Sequence, residues 1–152
     1  MTPSLKTLLS TTVLAFGLAM TPATVMAGDF DGQAEATYAE IGKMFGSVPT
    51  FVRQVPKAAI SGLWQQTKDL ELSDKTALPP KTKALIALAV ASQVPCEYCV
   101  WLDTNNAKSL GASDQEIGEA VAMAGLTRQW SAVFHGMQVD FAVLKKEMGG
   151  GS

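Results

Sequence analysis

Eight consecutive apolar residues, from Ala84 to Ala91, occupy the middle of the chain. A run of this length fits a buried strand or a buried helix, and periodicity alone does not separate the two. Half of the run is alanine, which is the strongest helix former and a poor strand former. The run therefore predicts a buried helix over residues 81–93, and the rest of the chain has to pack around it.

The segments on either side of this run also carry helical patterns. Apolar residues at helical spacing, ended by glycine or proline, predict helices over residues 34–45, 56–72, 96–110 and 113–124. After Gly125, a last helix would present a single apolar stripe made of Trp130, Phe134, Met137, Phe141 and Leu144. Almost no segment indicates a strand, so we predict an all-α fold of about six helices in one domain.

Residues 1–27 have the pattern of a secretory signal peptide. Lys6 supplies the positive start, residues 8–20 are apolar or small, and Val25-Met26-Ala27 ends the segment with side chains that a signal peptidase accepts. The apolar run is shorter than the roughly 20 residues that span a bilayer. We expect cleavage after Ala27, a periplasmic or secreted protein, a folded domain over residues 28–148 and a flexible tail over 149–152.

The length and charge of the processed chain exclude several classes of function. Cleavage leaves 125 of the 152 residues, enough for one core. With Lys6 removed, 11 basic and 14 acidic residues remain, a net charge near −3. Since no basic patch stands out, we expect no nucleic-acid partner, and no further run is long enough for a membrane span. Lys81 and Lys83 are interpreted as solubilising charges at a helix start.

The two cysteines belong to the motif Pro95-Cys96-Glu97-Tyr98-Cys99. Proline suits the first turn of a helix, so Cys96 is placed at a helix start, where unpaired amides and the helix dipole favour a thiolate. Cys99 lies one turn deeper on the same face. A thiolate can attack a disulfide or a peroxide while the neighbouring thiol resolves the product. The motif predicts a redox-active pair; a structural bridge is the alternative, although so short a loop restrains little chain entropy.

Other uses of these cysteines fit less well. Haem attachment needs a histidine directly after the second cysteine, where Val100 stands. A thioredoxin-like site needs a βαβ context, and structural zinc needs about four ligands. The chain offers two cysteines and one histidine, His135. We therefore expect no metal and no other cofactor.

Residues 83–124 resemble the alkylhydroperoxidase-D-like branch of the carboxymuconolactone decarboxylase family. The shared features are a buried helix, the Cys-x-x-Cys motif, a helix that ends in Leu110-Gly111-Ala112 and a following helix with Glu116-Ile117. Upstream, the segment Phe45-Gly46-Ser47-Val48-Pro49 is also similar to the family. The resemblance implies an all-α fold that assembles as trimers or hexamers, and dithiol peroxidase or disulfide reductase chemistry.

The chain departs from this family at the residues that assist the cysteines. Members with peroxidase activity carry Glu at the position of Ala84 and His at the position of Asp103, and the second cysteine attacks the peroxide. A carboxylate four residues after Cys99 shares its helix face and disfavours its thiolate. We therefore expect Cys96 to be the attacking thiol, with Asp103 as either a proton shuttle or a solvated carboxylate.

Two further residues are candidates with open alternatives. Tyr98 either donates a hydrogen bond to a bound oxygen atom or merely packs. His135 either replaces the missing histidine, if the last helix passes the cysteines, or is simply packed or exposed.

The sequence thus leads to a periplasmic thiol-disulfide oxidoreductase, or a weak alkylhydroperoxidase, that uses Cys96 and Cys99. Its expected partners are a peroxide or disulfide substrate, an unidentified redox protein and further copies of the chain, in a trimer or hexamer. The alternatives are a non-catalytic helical oligomer with a structural disulfide, and a lactone decarboxylase. The second alternative lacks an obvious set of general acids and bases, with one histidine in all.

Overall fold

The computed structural model describes residues 28–94 and 96–149, and within them every regular element is helical. The predicted signal peptide and the last three residues of the predicted tail lie outside the described residues. The elements are α1 (Phe30–Phe45), α2 (Thr50–Arg53), α3 (Lys57–Gln66), a π-helical turn (Thr67–Glu71), α4 (Pro80–Ala91), α5 (Glu97–Ser109), α6 (Asp114–Gly136) and α7 (Phe141–Glu147). The all-α prediction is confirmed.

Local capping chemistry explains where most of these helices begin and end. Asp29 caps α1 by accepting a hydrogen bond from the amide of Gly32 at 2.8 Å. Gly46 ends α1 in the left-handed conformation, with φ of 82°, which glycine adopts without strain. At α6, the Ser113 hydroxyl accepts from the Glu116 amide, and the Glu116 carboxylate accepts from the Ser113 amide. This reciprocal pair is a capping box, which the spacing of Ser113 and Glu116 in the sequence indicates.

The helices pack in two groups, each with its own buried cluster. Helices α1 to α3 enclose one cluster of mostly large side chains, namely Tyr38, Ile41, Val52, Ile60 and Trp64 together with Ala34. Helix α4 packs against both α5 and α6, and the buried residues there are Ala84, Ala107 and Ala112. Because alanine has a small side chain, the backbones of α4 and α5 approach closely along this contact. The predicted buried helix is therefore the element on which the cysteine helix α5 packs.

Lys83 is not a solubilising charge as predicted, because only 8% of it is exposed. Its ammonium donates hydrogen bonds to the carbonyl oxygens of Leu70 at 2.6 Å and Ser73 at 2.5 Å, and to the hydroxyl of Thr76 at 2.8 Å. These acceptors belong to the end of the π-helical turn and the loop that follows it. Lys83 thus fastens this segment to α4 through three partly buried hydrogen bonds.

Lys81, two residues before Lys83, remains at the surface, and its Nζ forms an ion pair with Oε1 of Glu116 at 2.7 Å. The hydrogen bond from Lys81, reinforced by the Ser113 amide, lowers the pKa of Glu116 to about 2. This ion pair joins the start of α4 to the start of α6.

The predicted helix boundary at Gly125 is wrong, since α6 runs without interruption from Asp114 to Gly136. A glycine inside a helix costs about 1 kcal/mol, which the strong helix formers around it offset. The chain breaks instead at Gln138, whose φ is 53°, and Asp140 then caps α7. The predicted apolar stripe is therefore divided between α6 and α7.

Much of that stripe is exposed in the single chain. We call it the α6–α7 apolar face; its exposed members are Met123, Leu126, Trp130, Phe134, Met137 and Phe141. The four on α6, Met123, Leu126, Trp130 and Phe134, recur at helical spacing and so share one side of the helix, and Met137 directly follows its end. Among the described residues, no helix combines the length and the apolar character that crossing a membrane requires.

The hydrogen bonds of Lys83 lead to the first prediction. Replacing Lys83 with Met keeps a long apolar stem but leaves two carbonyls and a hydroxyl without their donor. We expect the free energy of unfolding to fall by about 2–3 kcal/mol, measured by urea denaturation of the oxidised protein. Lys81→Met is the matched control and should cause a smaller loss, because its ion pair is exposed to solvent. Equal losses in the two variants would contradict the structural role of Lys83.

Candidate redox site

Cys96 is the N-cap residue of α5, the position directly before the first helical turn. Its sulfur accepts a hydrogen bond from the backbone amide of Cys99 at 3.2 Å. This is the geometry by which a serine or aspartate oxygen usually caps a helix. The Cys96 sulfur therefore faces the unpaired amides of the first turn, which stabilise negative charge on it.

Cys96 and Cys99 form a disulfide, with their Cα atoms 5.3 Å apart. Both residues are half-buried, so the bond borders solvent and is not enclosed in the core. Residues 92–94 lead from the end of α4 toward this site. Arg128 on α6 donates a hydrogen bond to the carbonyl oxygen of Gln93 at 3.3 Å and thereby ties α6 to this connection.

The disulfide opens onto a surface cleft of about 960 Å³, here called the disulfide cleft. It is lined by Phe51, Gln54, Cys96, Glu97, Tyr98, Cys99, Trp101 and Leu102. Most of this lining is apolar or aromatic. A second depression of about 680 Å³, the α4-end depression, shares part of the lining and is bordered by Ala91, Ser92, Val94, Cys96, Glu97, Tyr98 and Val100. The two therefore meet along residues 96–98.

Tyr98 lies in both depressions and is 75% exposed, so it does not pack into the core. The structure thus brings three of the predicted site residues together, namely Cys96, Tyr98 and Cys99. It also adds aromatic neighbours that sequence reasoning missed. Trp101 and Leu102 follow Tyr98 by three and four positions, so helical spacing could have placed them on its face. Phe51 lies in α2, far from the cysteines in sequence, and no pattern in the sequence indicated that it would line the cleft.

Asp103 lies one turn beyond Cys99 on α5, is half-buried, and borders neither depression of the disulfide. Burial raises its pKa above the usual value for aspartate. Glu71, at the end of the π-helical turn, also has a raised pKa, because of burial first and the charge of Asp103 second, while Lys83 opposes the shift. The carboxyl groups of Asp103 and Glu71 are therefore neighbours, which the sequence did not indicate.

His135 borders a different depression of about 550 Å³, together with Arg128 and Gln93. It contributes to neither of the depressions at the disulfide. In the single chain, His135 therefore borders neither surface at the disulfide, and its proposed role as a replacement for the missing histidine stays a prediction.

Ala84, at the position where the resemblance implies a glutamate, is 1% exposed and packs against Ala107 and Ala112. A carboxylate at this position would be buried among alanine side chains. The acidic groups near α5 are Glu97, which borders the disulfide, and the two carboxyl groups with raised pKa values, Asp103 and Glu71.

Comparison with known proteins places this arrangement in a family. The sequence profile of the carboxymuconolactone decarboxylase family matches residues 59–140, more than half of the chain. The chain is also similar to the uncharacterized protein 4 in the cox locus of Paracoccus denitrificans, with 37% identity over 59 residues. That match covers 39% of this chain and 53% of the other, so the chain spans about half the length of this curated relative.

The fold is similar to the crystal structure of the alkylhydroperoxidase AhpD core from Rhodospirillum rubrum. The two share 30% sequence identity with a TM-score of 0.63, over 74% of this chain and 87% of the other. These matches confirm the resemblance seen in the sequence. The chain belongs to the carboxymuconolactone decarboxylase family and has the all-helical fold of its AhpD-like members.

Proposed function

We propose that the chain is a thiol-disulfide oxidoreductase of the AhpD-like type, with Cys96 and Cys99 cycling between dithiol and disulfide. The observation that carries this proposal is the hydrogen bond from the Cys99 amide to the Cys96 sulfur. An amide that points at the sulfur in the disulfide form is already placed to stabilise the Cys96 thiolate after reduction. A site built only to hold a bridge would not need this helix-start geometry.

The proposed reaction transfers two electrons from the protein to a disulfide substrate. The Cys96 thiolate attacks one substrate sulfur, a mixed disulfide forms, and the other substrate sulfur leaves with the bonding electrons and takes up a proton. Cys99 then loses its proton and attacks the Cys96 sulfur, which restores the protein disulfide and releases the second substrate thiol. A dithiol donor must reduce the pair again before the next turnover.

Asp103 supports the assignment of these two roles. As a carboxylate one turn from Cys99, it disfavours the thiolate of Cys99 relative to that of Cys96. Its raised pKa lets it carry a proton more readily than an ordinary aspartate. Asp103 is therefore proposed to position and hold the proton of the resolving thiol.

We expect weak activity toward hydroperoxides. The glutamate and histidine that the family resemblance implies are replaced by the buried Ala84 and by Asp103. General acid–base assistance is typically worth about 10²–10⁴ in rate. His135 borders a separate depression, which also argues against lactone decarboxylation at the disulfide cleft.

The signal-like segment over residues 1–27 supports a periplasmic or secreted location, where a disulfide persists. If this location is right, the processed protein begins at Gly28. Measuring the intact mass of the protein exported by its native host tests this prediction. Retention of Met1 would overturn the location.

Reaction with two kinds of oxidant tests the proposed activity. Pre-reduced protein should reduce hydroxyethyl disulfide in a single turnover. Its reaction with cumene hydroperoxide should be slow, because the missing acid–base relay is worth at least about 10² in rate. Stopped reactions followed by thiol titration measure both rates. If neither rate depends on Cys96 or Cys99, the proposed cycle is wrong.

Variants of the two cysteines separate their roles. Cys99→Ser should accumulate a mixed disulfide on Cys96, because the resolving thiol is missing, whereas Cys96→Ser should react slowly. In the reduced wild-type protein, Cys96 should be alkylated faster by iodoacetamide, as read by peptide mass spectrometry. Faster alkylation of Cys99 would reverse the assignment of the attacking sulfur.

We further propose that the chain forms a homo-oligomer through the α6–α7 apolar face. Exposed contiguous apolar surface of this kind marks association sites, and the family resemblance implies trimers or hexamers. Light scattering at micromolar concentration should report at least three subunits. Phe134→Asp should lower the mass, whereas Phe30→Asp, on α1, should not. A monomeric wild-type protein would contradict the proposal.

A further inference from the structure

The two depressions at the disulfide form one surface that runs across the redox bond. Cys96, Glu97 and Tyr98 border both the disulfide cleft and the α4-end depression. Pockets for small ligands have volumes of roughly 300–1,000 Å³. The disulfide cleft, at about 960 Å³, is at the upper end of this range, and the α4-end depression, at about 680 Å³, adjoins it along residues 96–98. A substrate bound at the disulfide can therefore contact residues of both depressions.

Aromatic side chains make up the wall of the cleft beside the sulfurs. Trp101 is 67% exposed and Phe51 is 56% exposed, and Leu102 adjoins them. Such rings gain free energy when an apolar group covers them, and aromatic partners add specific geometry. The wall thus favours a substrate that carries apolar or aromatic groups next to its disulfide.

The charge of this surface is negative. Among the described residues that line the two depressions, Glu97 is the charged side chain, and no lysine, arginine or histidine is present. The chain as a whole is also acidic. A cationic substrate is therefore attracted and an anionic one is repelled, while a neutral one is not disfavoured.

We infer that the substrate is a polypeptide disulfide whose cysteines are flanked by aromatic residues and by neutral or basic residues, laid in extended form across both depressions. This inference rests on the proposed function and names its substrate class. The reaction is the two-electron exchange described above, in which the substrate disulfide becomes two thiols while the protein dithiol becomes the Cys96–Cys99 disulfide.

Three synthetic peptides, each closed by one disulfide over the same loop, test this inference. The first has Phe next to both cysteines and Lys outside them, the second replaces Lys with Glu, and the third replaces Phe with Ala. Each rate of reduction by pre-reduced protein at low ionic strength is divided by the rate with dithiothreitol, which corrects for the intrinsic reactivity of each disulfide. The first peptide should react about tenfold faster than the second and about tenfold faster than the third.

Protein variants assign these preferences to the cleft. Glu97→Gln should reduce the Lys-over-Glu preference to about threefold, because one charge beside the bound peptide is removed. Its matched control is Glu119→Gln, which makes the same charge change on α6 outside both depressions and should retain the full preference. Trp101→Ala should reduce the Phe-over-Ala preference to about threefold, whereas Phe30→Ala, also outside both depressions, should retain it.

Each result separates this inference from the proposed function. If hydroxyethyl disulfide is reduced but the three peptides react at equal corrected rates, the substrate class is wrong and the oxidoreductase function stands. If the preferences are the same in Glu97→Gln as in Glu119→Gln, the peptide does not lie in the disulfide cleft and the inference is overturned. If hydroxyethyl disulfide is not reduced, the proposed function itself fails.

Discussion

The close contact between α4 and α5 is the constraint on which the redox site depends. Ala84 and Ala107 are almost fully buried in it, and their small side chains let the two helix backbones approach. The same helix α4 also holds the π-helical turn through Lys83 and the start of α6 through Lys81. The start of α5, and with it Cys96, is therefore positioned by a helix that is itself fixed on several sides. A larger side chain at position 84 would have to displace Ala107 or Ala112 in this contact.

The resemblance implies a glutamate at the position of Ala84, and in this chain that position is part of the alanine contact. The two acidic groups with raised pKa values are instead Asp103 on α5 and Glu71 at the end of the π-helical turn. Burial and mutual repulsion raise the pKa of Glu71, and burial raises that of Asp103. Two neighbouring carboxyl groups of this kind can share protons. Of the two, Asp103 lies one turn from Cys99 on α5, while the Cys99 amide stabilises negative charge on Cys96.

Sequence reasoning succeeded where local chemistry decides the structure. The stop at Gly46, the capping box of Ser113 and Glu116 and the helix start at the cysteines depend on neighbouring residues, so each was predictable. It failed where distant contacts decide. The burial of Lys83 depends on carbonyls ten and thirteen residues earlier, and the place of Phe51 in the cleft depends on how α2 packs near α5. The helix end predicted at Gly125 was wrong because a long helix tolerates a glycine that would end a short, isolated one.

The central claim is that Cys96 and Cys99 cycle, and the reduction potential of the pair tests it most directly. The purified protein is equilibrated in buffers of reduced and oxidised dithiothreitol, the thiols are trapped by alkylation, and the oxidised fraction is read by mass spectrometry. A helix-start thiolate stabilises the reduced form and makes the disulfide easier to reduce. We therefore predict a potential above about −300 mV, and a potential below about −300 mV, typical of a structural disulfide, would contradict the proposed cycle.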